Sequence, residues 1–179
     1  MAVAYAMGTT VRPVWRSRRF WLFTILCCLL PDIDVVGFKF GIPYEHLLGH
    51  RGLTHSLLFS LLVGIVAARL AVSDDPFPRS FNGMLILYFS LVTMSHGFLD
   101  ALTDGGLGIA FFAPFDSTRY FLPWRPLRVS PIGISHFVSW YGMGVLVSEF
   151  IWIGIPVIFW LVGRTCFDKW GGSLSKPCR

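Results

Sequence analysis

Long apolar stretches separated by short polar segments constrain this chain more than any other feature. A helix that crosses the ~30 Å hydrocarbon core of a bilayer needs about 17–25 apolar residues, and the segments 56–72, 82–103 and 142–163 meet that length. Charged residues make up only 14% of the chain, whereas soluble domains carry about 25%. The sequence therefore predicts an integral membrane protein and excludes an ordinary soluble domain.

A fourth apolar segment, near 20–31, is shorter. It ends at Pro31, which cannot donate a backbone hydrogen bond, so we interpret it as a short or tilted span that places a polar site below the membrane surface. The opening segment Ala2–Val11 is too short to span alone. The predicted fold is an all-α transmembrane bundle of about four spans plus this N-terminal segment. It forms one membrane domain over 1–179, with irregular outer loops at 32–55 and 104–141.

The basic residues predict the orientation of the bundle, because cytoplasmic segments carry an excess of Lys and Arg. When Arg12–Arg19 is placed in the cytoplasm and four spans are threaded, ten of the 15 basic residues lie inside and five outside. The ten are Arg12, Arg16, Arg18, Arg19, Arg69, Arg79, Arg164, Lys169, Lys176 and Arg179. Both termini are then cytoplasmic, and both polar loops share the outer face. The net charge of +5 reflects this orientation, so no nucleic-acid partner is expected.

Six imidazole and carboxylate side chains gather at the outer ends of the predicted spans. They are Asp32, Asp34, His50, His55, His96 and Asp100. A single histidine near a helix end is more often a hydrogen-bonded residue than a ligand, but here six groups converge at one membrane boundary. His96 and Asp100 are four residues apart and share one helix face. Imidazole with carboxylate is a ligand set for zinc, manganese or iron. We therefore predict one or two divalent metal ions, zinc first.

The loop 104–141 supplies further candidate residues. Asp34 or Asp104 can serve as general base, and Arg119 and Arg125 can stabilise developing negative charge. A cationic, aromatic loop beside a metal site is also typical of a lid over a lipid-like or anionic substrate. The alternative is plain anchoring of this loop to membrane lipids.

Four motifs in the sequence resemble the bacterial YdjM-like family. They are LPDID, HRGLTHSLLF, SHGFLDALTDGG and FFAPFDSTRYFLPWRPLRVSPIG, and together they cover roughly residues 20–140. That family consists of inner-membrane proteins described as LexA-regulated, metal-dependent hydrolases, so the resemblance implies this location and activity. It also implies that the six acidic and histidine residues occupy the family's metal-site positions. Relatives often open with a fuller N-terminal helix carrying a Thr–His pair. Here no His precedes His46, so either one ligand is missing or the true start lies upstream.

The sequence thus predicts a membrane-bound, metal-dependent hydrolase in which a metal-activated water attacks a phosphoester or acyl ester of a lipid-like substrate. One alternative is a metal or proton transporter or sensor that adds Glu149, inside the last predicted span, to the same ligands. Glu149 should face the bundle interior, either as a proton-handling group or as a structural partner. A non-catalytic membrane assembly factor is the third hypothesis.

Overall fold

The computed structural model describes residues 1–9, 17–71, 79–131 and 138–174. The α-helices are α1 (Ala2–Gly8), α2 (Arg18–Leu29), α3 (Leu57–Ala71), α4 (Arg79–Ala101), α5 (Trp140–Glu149) and α6 (Ile155–Leu174). A 3₁₀ helix, Leu30–Phe40, follows α2 directly, a shorter one, Leu53–His55, precedes α3, and a π-helical turn, Phe150–Gly154, joins α5 to α6. Across the described ranges the only β pairing is two isolated bridges. The all-α prediction is confirmed.

Within the described residues, three helical runs are long and apolar enough to cross a membrane: Arg18–Phe40, Asn82–Ala101 and Trp140–Phe167. The segment predicted at 56–72 is the 15-residue helix α3, about 22 Å long at ~1.5 Å per residue and hence shorter than a ~30 Å bilayer core. The structure is that of a helical membrane protein with roughly the predicted number of spans. The basic residues Arg12, Arg16, Lys176 and Arg179, which contributed to the predicted orientation, lie outside the described residues.

The first predicted span, near 20–31, differs most from its prediction. The helical path does not stop at Pro31 but continues as the 3₁₀ helix to Phe40. Pro31 occupies the first turn of that 3₁₀ helix, where a missing N–H costs little. The short predicted segment is therefore the first half of a 23-residue run.

Small side chains hold α3 against α4. The buried residues of α3 are Ser60, Gly64, Ala67, Ala68 and Ala71. A Cβ atom at Gly64 would collide with Ser90 of α4, so this glycine permits a close approach of the two backbones. Because lipid chains are as apolar as leucine, burying leucine between membrane helices gains little. Small residues, which allow close packing, therefore determine which helix faces meet.

Aromatic and hydroxyl groups join α2 to α4. The rings of Phe20 and Tyr88 stack with centroids 4.9 Å apart, and the hydroxyls of Thr24 and Tyr88 are 3.1 Å apart. The Tyr88 hydroxyl also donates to the carbonyl of Ala4 at 3.1 Å, which ties α1 to this core. As a result, the 3₁₀ helix after α2, the start of α3 and the last turns of α4 meet at one end of the bundle.

Candidate metal centre

The 3₁₀ helix after α2 presents two aspartates to different surroundings. At about three residues per turn, positions i and i+2 point to different sides of such a helix. The side chain of Asp32 is 48% exposed, whereas that of Asp34 is 2% exposed. One carboxylate therefore reaches solvent, and the other is enclosed by protein.

Local sequence explains how His55 and His96 come together. Ser56 caps the start of α3, because its hydroxyl accepts a hydrogen bond from the N–H of Phe59 at 3.1 Å. This cap fixes the short 3₁₀ turn that carries His55. In α4, a Cβ atom at Gly97 would lie 3.1 Å from the His55 carbonyl oxygen. The glycine after His96 thus allows α4 to pass close to His55.

Four of the six predicted ligands converge on one point. We call Asp32, His55, His96 and Asp100 the ligand cluster, since one donor atom from each lies within 4.8 Å of all the others. His96 Nε2 is 3.2 Å from Asp32 Oδ1 and 3.8 Å from Asp100 Oδ2. His55 Nε2 is 3.4 Å from Asp100 Oδ2 and 3.9 Å from Asp32 Oδ1.

Hydrogen bonds on the far sides of both rings orient the ligand cluster. The Nδ1 of His96 donates to the Cys28 carbonyl at 2.9 Å, and the Nδ1 of His55 lies 3.2 Å from Asp34 Oδ2. Metal-binding histidines use this arrangement, in which a carbonyl or carboxylate holds one nitrogen and frees the other. His55 Nε2 is buried without a hydrogen-bond partner. A buried, unpaired ring nitrogen facing two carboxylates fits a bound divalent cation.

The other two predicted ligands support this arrangement from behind. We call Asp34, His50 and Thr54 the support cluster. Asp34 Oδ1 is 2.7 Å from His50 Nδ1, while Asp34 Oδ2 accepts from the Thr54 hydroxyl at 2.6 Å and from the N–H of Arg51 at 3.0 Å. With its contact to His55, Asp34 makes at least four polar interactions, so both of its oxygens are engaged.

Arg51 is a buried cation that sequence reasoning left out of the site. It is 3% exposed, and its Nε lies 3.2 Å from Asp100 Oδ2. Its other two nitrogens donate to the Gly105 carbonyl at 2.8 Å and the Thr103 hydroxyl at 3.1 Å. Arg51 has φ of 64°, the left-handed region that residues other than glycine rarely adopt. The only signal in the sequence was its place between His50 and Gly52.

Two neighbouring carboxylates determine the charge state of His55. Burial alone would lower the pKa of this histidine, but the neighbouring carboxylates of Asp100 and Asp34 outweigh it and raise the pKa to about 9. The carboxylates around His55 therefore favour a positive charge on or beside its ring. A divalent cation among the same carboxylates supplies such a charge without a proton.

The remaining predicted residues lie around the cluster without a described contact to it. Asp104 is exposed and accepts from the N–H of Val129 at 2.8 Å. Arg119 donates to the carbonyls of Tyr44 and His50 at 2.9 and 3.0 Å, which joins the two outer loops. Arg125 is exposed, and its guanidinium lies 4.7 Å from the centre of the Phe121 ring.

A cavity of about 470 Å³ adjoins the ligand cluster. His96 and Asp100 line it on one side, and Glu149 and the π-helical turn line it on the other. Glu149 lines this cavity but is exposed rather than enclosed in the bundle interior. Arg128 lines the same cavity, and a side chain at Gly144 would collide with its guanidinium. The cavity gives the cluster an open side toward the helices.

Comparison with known proteins agrees with the motifs. The profile of the YdjM inner membrane protein family matches residues 1–171. The chain is also 33% identical over 159 residues to the inner membrane protein YbcI of Escherichia coli (strain K12), covering 87% of this chain and 86% of that protein. No solved structure is significantly similar to the chain.

Proposed function

This chain belongs to the YdjM inner membrane protein family, and we propose that it is a membrane-bound, metal-dependent hydrolase. The observation that carries the proposal is the buried, unpaired Nε2 of His55, which faces the carboxylates of Asp32 and Asp100 beside His96. The family and the apolar helices support an inner-membrane location. From the distribution of basic residues we infer that the cluster faces the periplasm.

The ligand cluster supplies two imidazoles and two carboxylates, a donor set that suits zinc and also manganese or iron. The four donor atoms are Nε2 of His55, Nε2 of His96, and one oxygen each of Asp32 and Asp100. A divalent ion bound there supplies Lewis acidity, which lowers the pKa of water and polarises phosphoryl or carbonyl oxygens. Asp34, His50 and His55 form a second group that could hold an ion, but both oxygens of Asp34 already accept hydrogen bonds from protein groups, so we infer a single ion in the ligand cluster.

The protein's own groups divide the remaining tasks. Asp34 orients the ring of His55. Both of its oxygens already accept hydrogen bonds, so we assign it this orienting role rather than the general-base role predicted from the sequence. Asp32 offers one oxygen to the cluster and is 48% exposed. We propose that its other oxygen acts as the general base, which accepts the proton that water loses as it adds to the ester. Asp104 is the alternative base. One bond then forms from the water oxygen to phosphorus or to the acyl carbon, and the ester oxygen departs with a proton.

Elemental analysis of detergent-purified protein tests the metal site first. We expect about one equivalent of a transition metal in the wild type and none in His55→Ala or Asp100→Ala. Asp116→Ala is the matched control, because Asp116 is an exposed loop aspartate that contacts only Thr118 and Tyr120 among its described hydrogen bonds. Folded wild type that takes up neither zinc nor manganese would leave the assembly-factor hypothesis ahead.

Hydrolysis is tested on the same preparations. We expect the metal-loaded wild type to cleave a phosphodiester or an acyl ester in mixed micelles, and the two metal-free variants not to cleave it. Bound metal without cleavage of either ester class would sink the hydrolase proposal and retain the metal centre.

One observation favours a transporter as the second candidate. Glu149 lines the same cavity as His96 and Asp100, so a chain of ionisable groups extends from the ligand cluster into the span. Under this hypothesis, proteoliposomes should accumulate zinc or manganese, and Glu149→Gln should abolish the uptake. Uptake that equals protein-free vesicles counts against it.

A further inference from the structure

A second cavity lies farther along α4 than the one that adjoins the ligand cluster, toward the N-terminal end of this helix. We call it the lower cavity, and the one beside the cluster the upper cavity. The upper cavity, described above, has a volume of about 470 Å³. The lower cavity, about 480 Å³, lies between α1, α4 and α6, and its lining side chains are apolar apart from the Tyr88 hydroxyl and the indole N–H of Trp160. That hydroxyl is already bonded to the Ala4 carbonyl. An occupant of the lower cavity therefore meets hydrocarbon walls.

The two cavities follow one path along the bundle. Val3 lines both, α4 forms one wall of both, and the C-terminal helical run forms the opposite wall. We call this path the lateral groove. The α4 residues that line it run from Asp100 to Met84, which at ~1.5 Å per residue is about 24 Å. One leaflet of a ~30 Å hydrocarbon core is about 15 Å thick, so the groove accommodates a chain of leaflet length.

The opposite wall contains an irregular helical segment. Pro156 lacks an N–H and cannot bond to a carbonyl in the preceding turn, and the π-helical turn Phe150–Gly154 comes just before it. π-Helical turns of this kind occur often at functional sites. Phe150, Ile153 and Gly154 of this turn line the upper cavity. Only 6% of the most apolar part of this run is buried, against 39% for α4, so lipid can reach the groove from the side.

The two ends of the groove differ in chemistry, and this difference selects the occupant. The upper end holds the ligand cluster's His96 and Asp100 together with Arg128 and Glu149, while the lower end is apolar. A guanidinium matches phosphate oxygens, and a carboxylate accepts a hydrogen bond from a hydroxyl. A headgroup with both an anionic phosphate and a hydroxyl complements this pair.

We propose that the lateral groove binds one acyl chain of an anionic phospholipid with a hydroxyl-bearing headgroup, and presents its ester to the ligand cluster. The proposal rests on the hydrolase function and names its substrate class. Arg128 contacts the phosphate, Glu149 accepts from the headgroup hydroxyl, and the chain lies along α4 past Leu91 and Val157. The chain thereby fixes the distance of the ester from His96 and Asp100.

Photolabelling in vesicles tests the groove directly. The probe is phosphatidylglycerol with a diazirine at the end of one acyl chain, diluted into phosphatidylethanolamine, and adducts are mapped by mass spectrometry. We expect adducts to concentrate on Met84, Leu87 and Trp160 at the lower end. The control probe is phosphatidylcholine that carries the same diazirine-labelled acyl chain, and it should label lipid-exposed positions such as Leu61 and Leu70 of α3 evenly. The same even labelling by phosphatidylglycerol would overturn the proposal.

Filling the groove is the second test. Val157→Trp should lower adduct yield at Met84 and Leu87 on the order of tenfold, since each methylene that loses its apolar site weakens binding. Leu61→Trp places the same side chain on the exposed face of α3 and should change nothing. Leu91→Phe is a milder filling variant in case Val157→Trp does not fold. Unchanged labelling in a folded filling variant would refute the groove.

The two proposals fail in different ways. Both filling variants should retain the metal content of the wild type and cleave a short-chain, water-soluble ester, while losing cleavage of the long-chain lipid. A wild type without metal or hydrolysis would refute the hydrolase function, yet the adduct map would still report on the groove. Metal-dependent cleavage of the long-chain lipid at full rate in a filling variant would refute the groove alone.

Discussion

On one side of His55 lie Asp32, His96 and Asp100, whose facing atoms are several ångströms apart and partly reach solvent or cavity. On the other side lie Asp34 and His50, joined at 2.7 Å and almost fully enclosed. Both sides consist of the same residue types, yet the His55 nitrogen that faces the first side is buried without a hydrogen-bond partner, whereas the nitrogen that faces the second side lies 3.2 Å from Asp34 Oδ2. Residues of the same type, Asp and His, can thus take two different roles, candidate ligand or support for a ligand. The hydrogen bonds that each side-chain atom makes distinguish the two roles.

The largest effect is expected from removing charge on the ligand side. Asp100→Asn removes a proposed metal ligand and also leaves the buried guanidinium of Arg51 without its carboxylate. Loss of one partner from a buried ion pair costs about 3–5 kcal/mol, so we expect a lower unfolding temperature as well as loss of metal. Metal-binding isotherms and thermal unfolding in detergent measure the two effects. Asp116→Asn, in the exposed loop, should leave both at wild-type values.

A smaller effect is expected on the support side. Asp34→Asn keeps the shape of the side chain but weakens the hold on His55 Nδ1, and outer-shell changes of this kind cost about 10–100-fold in metal affinity. The metal-binding isotherm should therefore shift without vanishing. If Asp34→Asn removes metal as completely as Asp100→Asn does, then Asp34 is itself a ligand and the division between the two sides is wrong.

Arg51 connects the two sides, and changing it should affect stability more than metal binding. Arg51→Lys keeps the charge but replaces a three-nitrogen fork with one ammonium, so contacts to Asp100, Gly105 and Thr103 cannot all be kept. Buried acceptors left without donors cost about 1–3 kcal/mol. We expect a lower unfolding temperature, with a metal affinity within about threefold of wild type. That change in affinity is much smaller than the loss of about 10–100-fold expected for Asp34→Asn. An unchanged unfolding temperature would show that the fork adds nothing.

The sequence predicted the helical fold because apolar length follows from local rules, and the candidate site residues remain a prediction. Apolar length indicated the spans, and the four-residue spacing of His96 and Asp100 placed them on one helix face. The division of labour between Asp32 and Asp34 could not be predicted, since it depends on a 3₁₀ helix that continues past Pro31. The bond from His96 to the Cys28 carbonyl joins residues 68 positions apart, and Arg51, which has a positive φ, contacts Asp100 far along the chain. Contacts of this kind arise from tertiary packing and leave no periodic signal.

The smallest effect is expected outside both sides, at Arg125. Its guanidinium is exposed and packs on the Phe121 ring, a contact worth about 0.5–1 kcal/mol at exposed sites. Arg125→Gln should therefore lower stability slightly and leave metal content and hydrolysis unchanged, whereas Arg128→Gln in the lateral groove should slow cleavage of an anionic lipid. Parallel rate measurements on the two variants make the comparison. If Arg125→Gln slows cleavage more than Arg128→Gln does, then Arg125 contacts the headgroup, as predicted for it from the sequence, and the assignment of the phosphate to Arg128 is wrong.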